Sequence, residues 1–152
     1  MKKITAVLLF CLVSALSYSQ ILGLGLGNGG LNIKSDHEKK LGVIGRIGLG
    51  WGTNSFTLSP SVSGVARVFT SDNAKPYFGI GLGSSFYLSN TGNTYSYNTY
   101  IPIGVEVFPM GNKRISVTVE SGITMGLGSF NAFVYSGFRG LLEFTFYFGK
   151  QK

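Results

Sequence analysis

Between residues 114 and 149 the chain alternates between apolar and small or polar side chains, with one turn-like break near residues 129–131. Ile115, Val117, Val119, Ile123, Met125 and Leu127 fall on one face; Ser116, Thr118, Glu120, Gly122, Thr124 and Gly126 fall on the other. A period of two belongs to a β-strand, whereas a helix would repeat every 3.6 residues. The runs exceed the usual strand of ~5–6 residues. Long strands with two unlike faces predict an all-β chain, and leave open only which face meets the interior.

The N-terminus bears on that choice. Lys2 and Lys3 precede a short apolar run over residues 4–13, and Ser17-Tyr18-Ser19 puts small residues at −3 and −1 before Gln20. This predicts a cleaved signal peptide over residues 1–19, followed by one β-barrel domain over 20–152. Bulky Phe10 before Cys11 argues against lipidation there, and cleavage would remove the chain's only cysteine. Disulfides, thiol nucleophiles and cysteine metal sites are then excluded from the remainder. Beyond residue 19 no apolar run reaches the ~18 residues of a membrane helix. Yet mean hydropathy is +0.26, and only 12% of residues are charged, against ~25% in typical soluble domains. An exported apolar chain without helical spans points to a transmembrane β-barrel in a cell outer membrane, with its apolar face against lipid.

Further segments carry the same pattern. Strands are expected at 41–51, 56–69, 77–88 and 97–108, besides the two within 114–149. Asn28-Gly29 is a strong hairpin signal and divides residues 19–35 into two short strands, which makes eight. Pro60 and Pro102 lie inside expected strands, and each predicts a bulge or a strand end. Residues 53–54, 71–73 and 109–112 read as short turns, and residues 89–96 as a longer outer loop. The rival fold is a soluble, lipocalin-like barrel. It would show water a face of Gly and Ser, and would leave unexplained the aromatics near strand ends: Trp51, Phe86, Tyr95, Tyr97, Phe130, Phe146 and Phe148.

Few residues suggest chemistry. Arg46, Arg67 and Arg139 share the polar face with Glu106, Glu120 and Glu143. In a narrow interior such charges must pair, since an unpaired buried charge costs several kcal/mol. They are expected to form a lumen charge network. The Tyr- and Asn-rich stretch offers Tyr95, Tyr97 and Tyr100 as an outer loop surface. His37, the only histidine, sits in a run of polar residues from 35 to 40 and reads as a solvated loop residue. One His with no Cys makes no structural zinc site. Gly25-Leu26-Gly27-Asn28-Gly29-Gly30 fits GxGxxG, but no helical pattern follows it. The basic residues are scattered over the chain, so no nucleic-acid stripe forms. The sequence predicts no enzyme and no cofactor.

The signal, the dyad repeat and stretches such as Pro76-Tyr77-Phe78-Gly79-Ile80-Gly81-Leu82-Gly83 and Ile103-Gly104-Val105-Glu106-Val107-Phe108-Pro109 resemble the small outer-membrane β-barrel family. These are the OmpA-like and OmpX-like barrels, also described as the outer membrane protein beta-barrel domain or porin family. The resemblance implies an antiparallel up-and-down barrel surrounded by outer-membrane lipid. It also implies a terminal aromatic signal read by the outer-membrane assembly machinery. Phe144, Phe146 and Phe148 have that spacing, although the chain continues through Gly149-Lys150-Gln151-Lys152. The expected role is a non-enzymatic barrel with a filled polar lumen, structural in the envelope or interacting at the surface. The alternative is a narrow pore or passage for small solutes.

Overall fold

The computed structural model describes residues 21–68, 71–128 and 134–149. The expected signal segment, the break at 129–131 with Phe130, and the last three residues lie outside the described residues. Eight strands form: β1 (Ile21–Gly27), β2 (Gly30–Lys34), β3 (Leu41–Gly52), β4 (Ser55–Arg67), β5 (Ala74–Ser89), β6 (Gly92–Val107), β7 (Ile115–Gly128) and β8 (Val134–Gly149). A single 3-10 turn, Pro109–Gly111, interrupts the connection from β6 to β7. Each strand pairs antiparallel with its sequence neighbour, and β1 pairs with β8 to close an up-and-down barrel.

The period-two pattern sets which side chains enter. On β3, Leu41, Ile47, Leu49 and Trp51 point outward while Ile44 and Arg46 are buried inside. On β8, Leu142, Phe144, Phe146 and Phe148 are exposed and Leu141, Glu143, Thr145 and Tyr147 are buried. One residue of register slip would reverse every such pair. The exterior is accordingly apolar and the interior polar.

Interior glycines make room for tyrosine rings. A Cβ on Gly104 would lie 2.7 Å from Tyr77 Cζ, and one on Gly122 would lie 2.5 Å from Tyr100 Cε2. Gly23 stands in the same relation to Tyr147. Eight strands enclose an interior only wide enough for side chains. A large ring therefore enters only where its neighbour on the next strand has none.

Two expectations about local structure are corrected. Pro60 and Pro102 produce neither a bulge nor a strand end. The β4–β5 ladder skips Pro60 but resumes in register, with Leu58↔Phe86 and Ser61↔Gly83. The β5–β6 ladder does the same around Pro102, with Phe78↔Ile103 and Gly81↔Tyr100. Each proline lacks one N–H toward β5 and keeps its pairing on the other side, with Ile47 and Gly122 respectively. The outer loop over 89–96 is likewise a tight connection: β5 runs to Ser89 and β6 starts at Gly92. Gly92 has φ +144 there, a backbone region that other residues avoid. Polar residues in that stretch alternate like a strand, and do so beyond the apolar belt.

Candidate functional site

The charged side chains meet in the half of the barrel nearest the chain termini. Arg46 stands at the centre. Its Nε donates to Glu143 Oε1 at 2.7 Å and its Nη2 to Glu120 Oε2 at 2.8 Å. Glu120 also accepts from Tyr77 at 2.5 Å and from Tyr100 at 2.6 Å. Glu106 accepts from Ser116 and Tyr147, each at 2.6 Å. Lys34 joins the two halves: its Nζ lies 3.4 Å from both Glu106 and Glu143 and donates to Thr118 at 2.6 Å. Arg46, Lys34 and the three glutamates are almost wholly buried. In so dry a place each carboxylate needs a cation and further donors: Glu106 and Glu120 each have one cation and two hydroxyl donors, and Glu143 has two cations, Arg46 and Lys34.

Of the six charges expected to form a network, Arg46, Glu106, Glu120 and Glu143 thus come together. Arg67 does something else. As the last residue of β4, it donates from Nη1 to the carbonyls of Asp36 at 3.2 Å and Lys39 at 2.8 Å, holding a loop. Arg139 pairs through its backbone with Gly122, and its side chain lies outside the described residues. Tyr100 is a correction. It is 4% exposed and bound to Glu120, because its even position shares the inward face with Asn98 and Glu106. Tyr95 and Tyr97 sit on the exterior of β6, with ring centroids 5.9 Å apart. Phe144, Phe146 and Phe148 lie on the exterior of β8 beside Leu26, Leu24 and Leu22.

His37 is a second correction. Ser35, Asp36 and His37 are buried at the end of the barrel that holds Ile21 and Gly149, while Lys39 and Lys40 stay exposed. The His37 ring is fully buried between Phe108 (centroids 4.6 Å apart) and Tyr147 (4.4 Å). Neither ring nitrogen has a hydrogen-bond partner among the described residues. Burial and, next, the Lys75 charge depress its pKa from 6.5 to about 4, so the ring is neutral at pH 7. The loop is anchored around it. Ser35 N–H donates to Val43 O at 2.9 Å, and Val43 N–H to Ser35 Oγ at 2.8 Å. Lys75 donates to the His37 carbonyl at 3.2 Å and lies 5.0 Å from the Phe108 ring centroid.

The expected network did not include Lys34, Lys75, Tyr77 or Tyr147. Parity would have placed Lys34 beside Asn32 on the inner face of β2, had that short strand been assigned faces. The opposite half of the interior is less filled among the described residues. A recess of about 470 Å3 there is bordered by Gly48, Gly50, Thr57, Ser59, Asn98 and Thr124, among others. Among the described residues no cluster of His, Cys, Asp or Glu could hold a metal ion.

No family model, curated protein or solved structure matches the chain.

Proposed function

We propose that this is a small integral outer-membrane barrel protein, exported by a cleaved signal over residues 1–19, that spans the bilayer without forming an open pore. The observation that carries the reading is the exterior. Leu26, Leu41, Phe78, Ile80, Ile103 and Phe144 are all more than half exposed, while the described charged side chains within the strands turn inward. A soluble barrel would reverse these faces; surrounding lipid accounts for them. The resemblance to OmpA-like and OmpX-like barrels points the same way. Phe144, Phe146 and Phe148 then serve as the signal to the assembly machinery.

Its role is non-enzymatic, in envelope structure or in contacts at the surface. The polar side chains that meet are already engaged with one another, and neither His37 ring nitrogen has a hydrogen-bond partner among the described residues. The alternative, a narrow passage for small solutes, draws on the open recess. Transit would require the Arg46 cluster and residues 35–40 to move aside. Planar-bilayer recording separates the two. The filled-lumen reading predicts no discrete single-channel steps from the reconstituted protein; stable steps would make the passage the function.

A further inference from the structure

The apolar exterior is notched across β3, β4 and β5. Outward positions of the three strands meet in register, Leu41↔Ala66↔Phe78 in one row and Val43↔Gly64↔Ile80 in the next. Gly64 leaves the middle of the second row without a side chain, and a Cβ built there meets nothing within 4 Å among the described residues. The result is a groove of about 480 Å3 bordered by Leu41, Gly64, Ala66, Phe78 and Ile80. A second groove, of about 370 Å3, begins one outward position further along β4, at Val62, and continues past Gly45, Ile47, Pro60 and Phe86. At ~3.3 Å per residue and a tilt near 40°, the stretch from Leu41 to Ile47 rises about 15 Å. That is half of a ~30 Å hydrocarbon core, the depth of one leaflet.

The groove starts at a basic rim. Lys39 and Lys40 are both exposed and lead directly into Leu41, the first residue of β3. Their backbone is fixed beside the end of β4: Arg67 N–H donates to Lys40 O at 2.8 Å, and Arg67 Nη1 to Lys39 O at 2.8 Å. Ala66, the residue before Arg67, borders the groove. Glu38 and Asp72, in the adjoining loops, lie 3.4 and 3.7 Å from Lys113.

We propose that this face seats one anionic phospholipid from the leaflet on the side of Ile21 and Gly149. Its phosphate lies against Lys39 and Lys40, and one acyl chain runs along the groove past Gly64. This rests on the membrane reading above. A notch left empty in hydrocarbon forfeits dispersion contacts along its lining, and a flexible acyl chain restores them. Lysine stems lie along apolar surface and hold their ammonium groups at the level of the lipid heads, where they attract anionic ones. A second copy of the chain, packed on the same face, would bring its own Lys39 and Lys40 against these two. Like charge opposes that occupant and favours the lipid.

The test uses the refolded barrel in micelles holding equal amounts of phosphatidylglycerol and phosphatidylcholine with the same acyl chains, read by native mass spectrometry. Phosphatidylglycerol should be retained as a single saturable adduct, at least fivefold over phosphatidylcholine. Lys39→Gln with Lys40→Gln should bring the two lipids to equal retention. Gly64→Leu fills the notch and should cut phosphatidylglycerol retention at least fivefold. Ala66→Leu, from the same groove, tests the same point if Gly64→Leu does not fold. Folding is read by a heat-dependent gel shift. Equal retention of both lipids by the wild type, selectivity that survives the lysine changes, or full retention by a shifting groove variant overturns the site and leaves the membrane barrel standing. A dimer that Gly64→Leu dissolves gives the groove to a second copy and overturns the lipid site as well. A wild-type chain with no heat shift overturns the membrane reading and this site with it.

Discussion

Arg46 is the side chain on which the interior most depends, because it bridges two buried carboxylates that have no water to turn to. Removing one member of such a cluster leaves uncompensated charge, at a cost of ~3–5 kcal/mol. Arg46→Ala should lower stability by about that amount in urea unfolding from lipid vesicles. Arg46→Ala combined with Glu143→Gln should recover part of it. A single variant within ~0.5 kcal/mol of wild type would show that the cluster does not hold the barrel together. Gly104 makes a second prediction. A side chain there must displace the Tyr77 ring and with it the bond to Glu120. Gly104→Val should cost ~1–3 kcal/mol, and Gly104→Val with Tyr77→Ala should cost less than the two changes summed. At this scale parity made the inward charges legible. Which of them would touch was not, because contact depends on barrel shear, and shear is fixed by register across all eight strands.

Elements decide what the two ends do. The alternation exposed the long strands, and Asn28-Gly29 exposed the first hairpin. Residues 35–40 were not legible. A run of polar side chains ordinarily stays in water, and nothing local shows that Phe108 and Tyr147 need a cover. The available signal was the pair of aromatics at the barrel's terminal end. That loop carries a pH dependence whose sign follows from His37. Its pKa is lower when seated than when released, so the seated state binds protons less readily. Seating is therefore undiminished above pH ~6.5 and weakens as pH falls toward 4, by about 3 kcal/mol in all. Lys75 adds repulsion against the charged ring, while Glu106, Asp36 and Glu38 offset part of it. Hydrogen exchange over residues 36–40, corrected for intrinsic rates, should show protection at pH 7 that falls by pH 4.5. His37→Phe should abolish the difference, since it keeps the stacking and removes the proton site. Equal protection at both pH values in wild type would contradict the seated neutral ring.

The whole molecule combines a polar interior with an apolar exterior on a barrel closed near one end. The fold was readable because a dyad repeat of this length, with Gly on the inner face, suits few architectures. The recess was less readable: small inward residues line it at Gly50, Thr57 and Ser59, while Gly104 and Gly122 make room for Tyr77 and Tyr100 elsewhere. Only register distinguishes a glycine beneath a ring from one beside open space. The short hairpin also follows from strand lengths, which the sequence bounded only loosely near residues 20–40. Membrane insertion is the claim on which the rest stands. The most direct test is gel mobility of the protein from a carbonate-washed outer-membrane fraction, boiled and unboiled. The account predicts that the protein stays in that fraction and that its mobility changes on boiling, as detergent-resistant closed barrels do. Recovery in the soluble fraction with identical mobility in both lanes would contradict it.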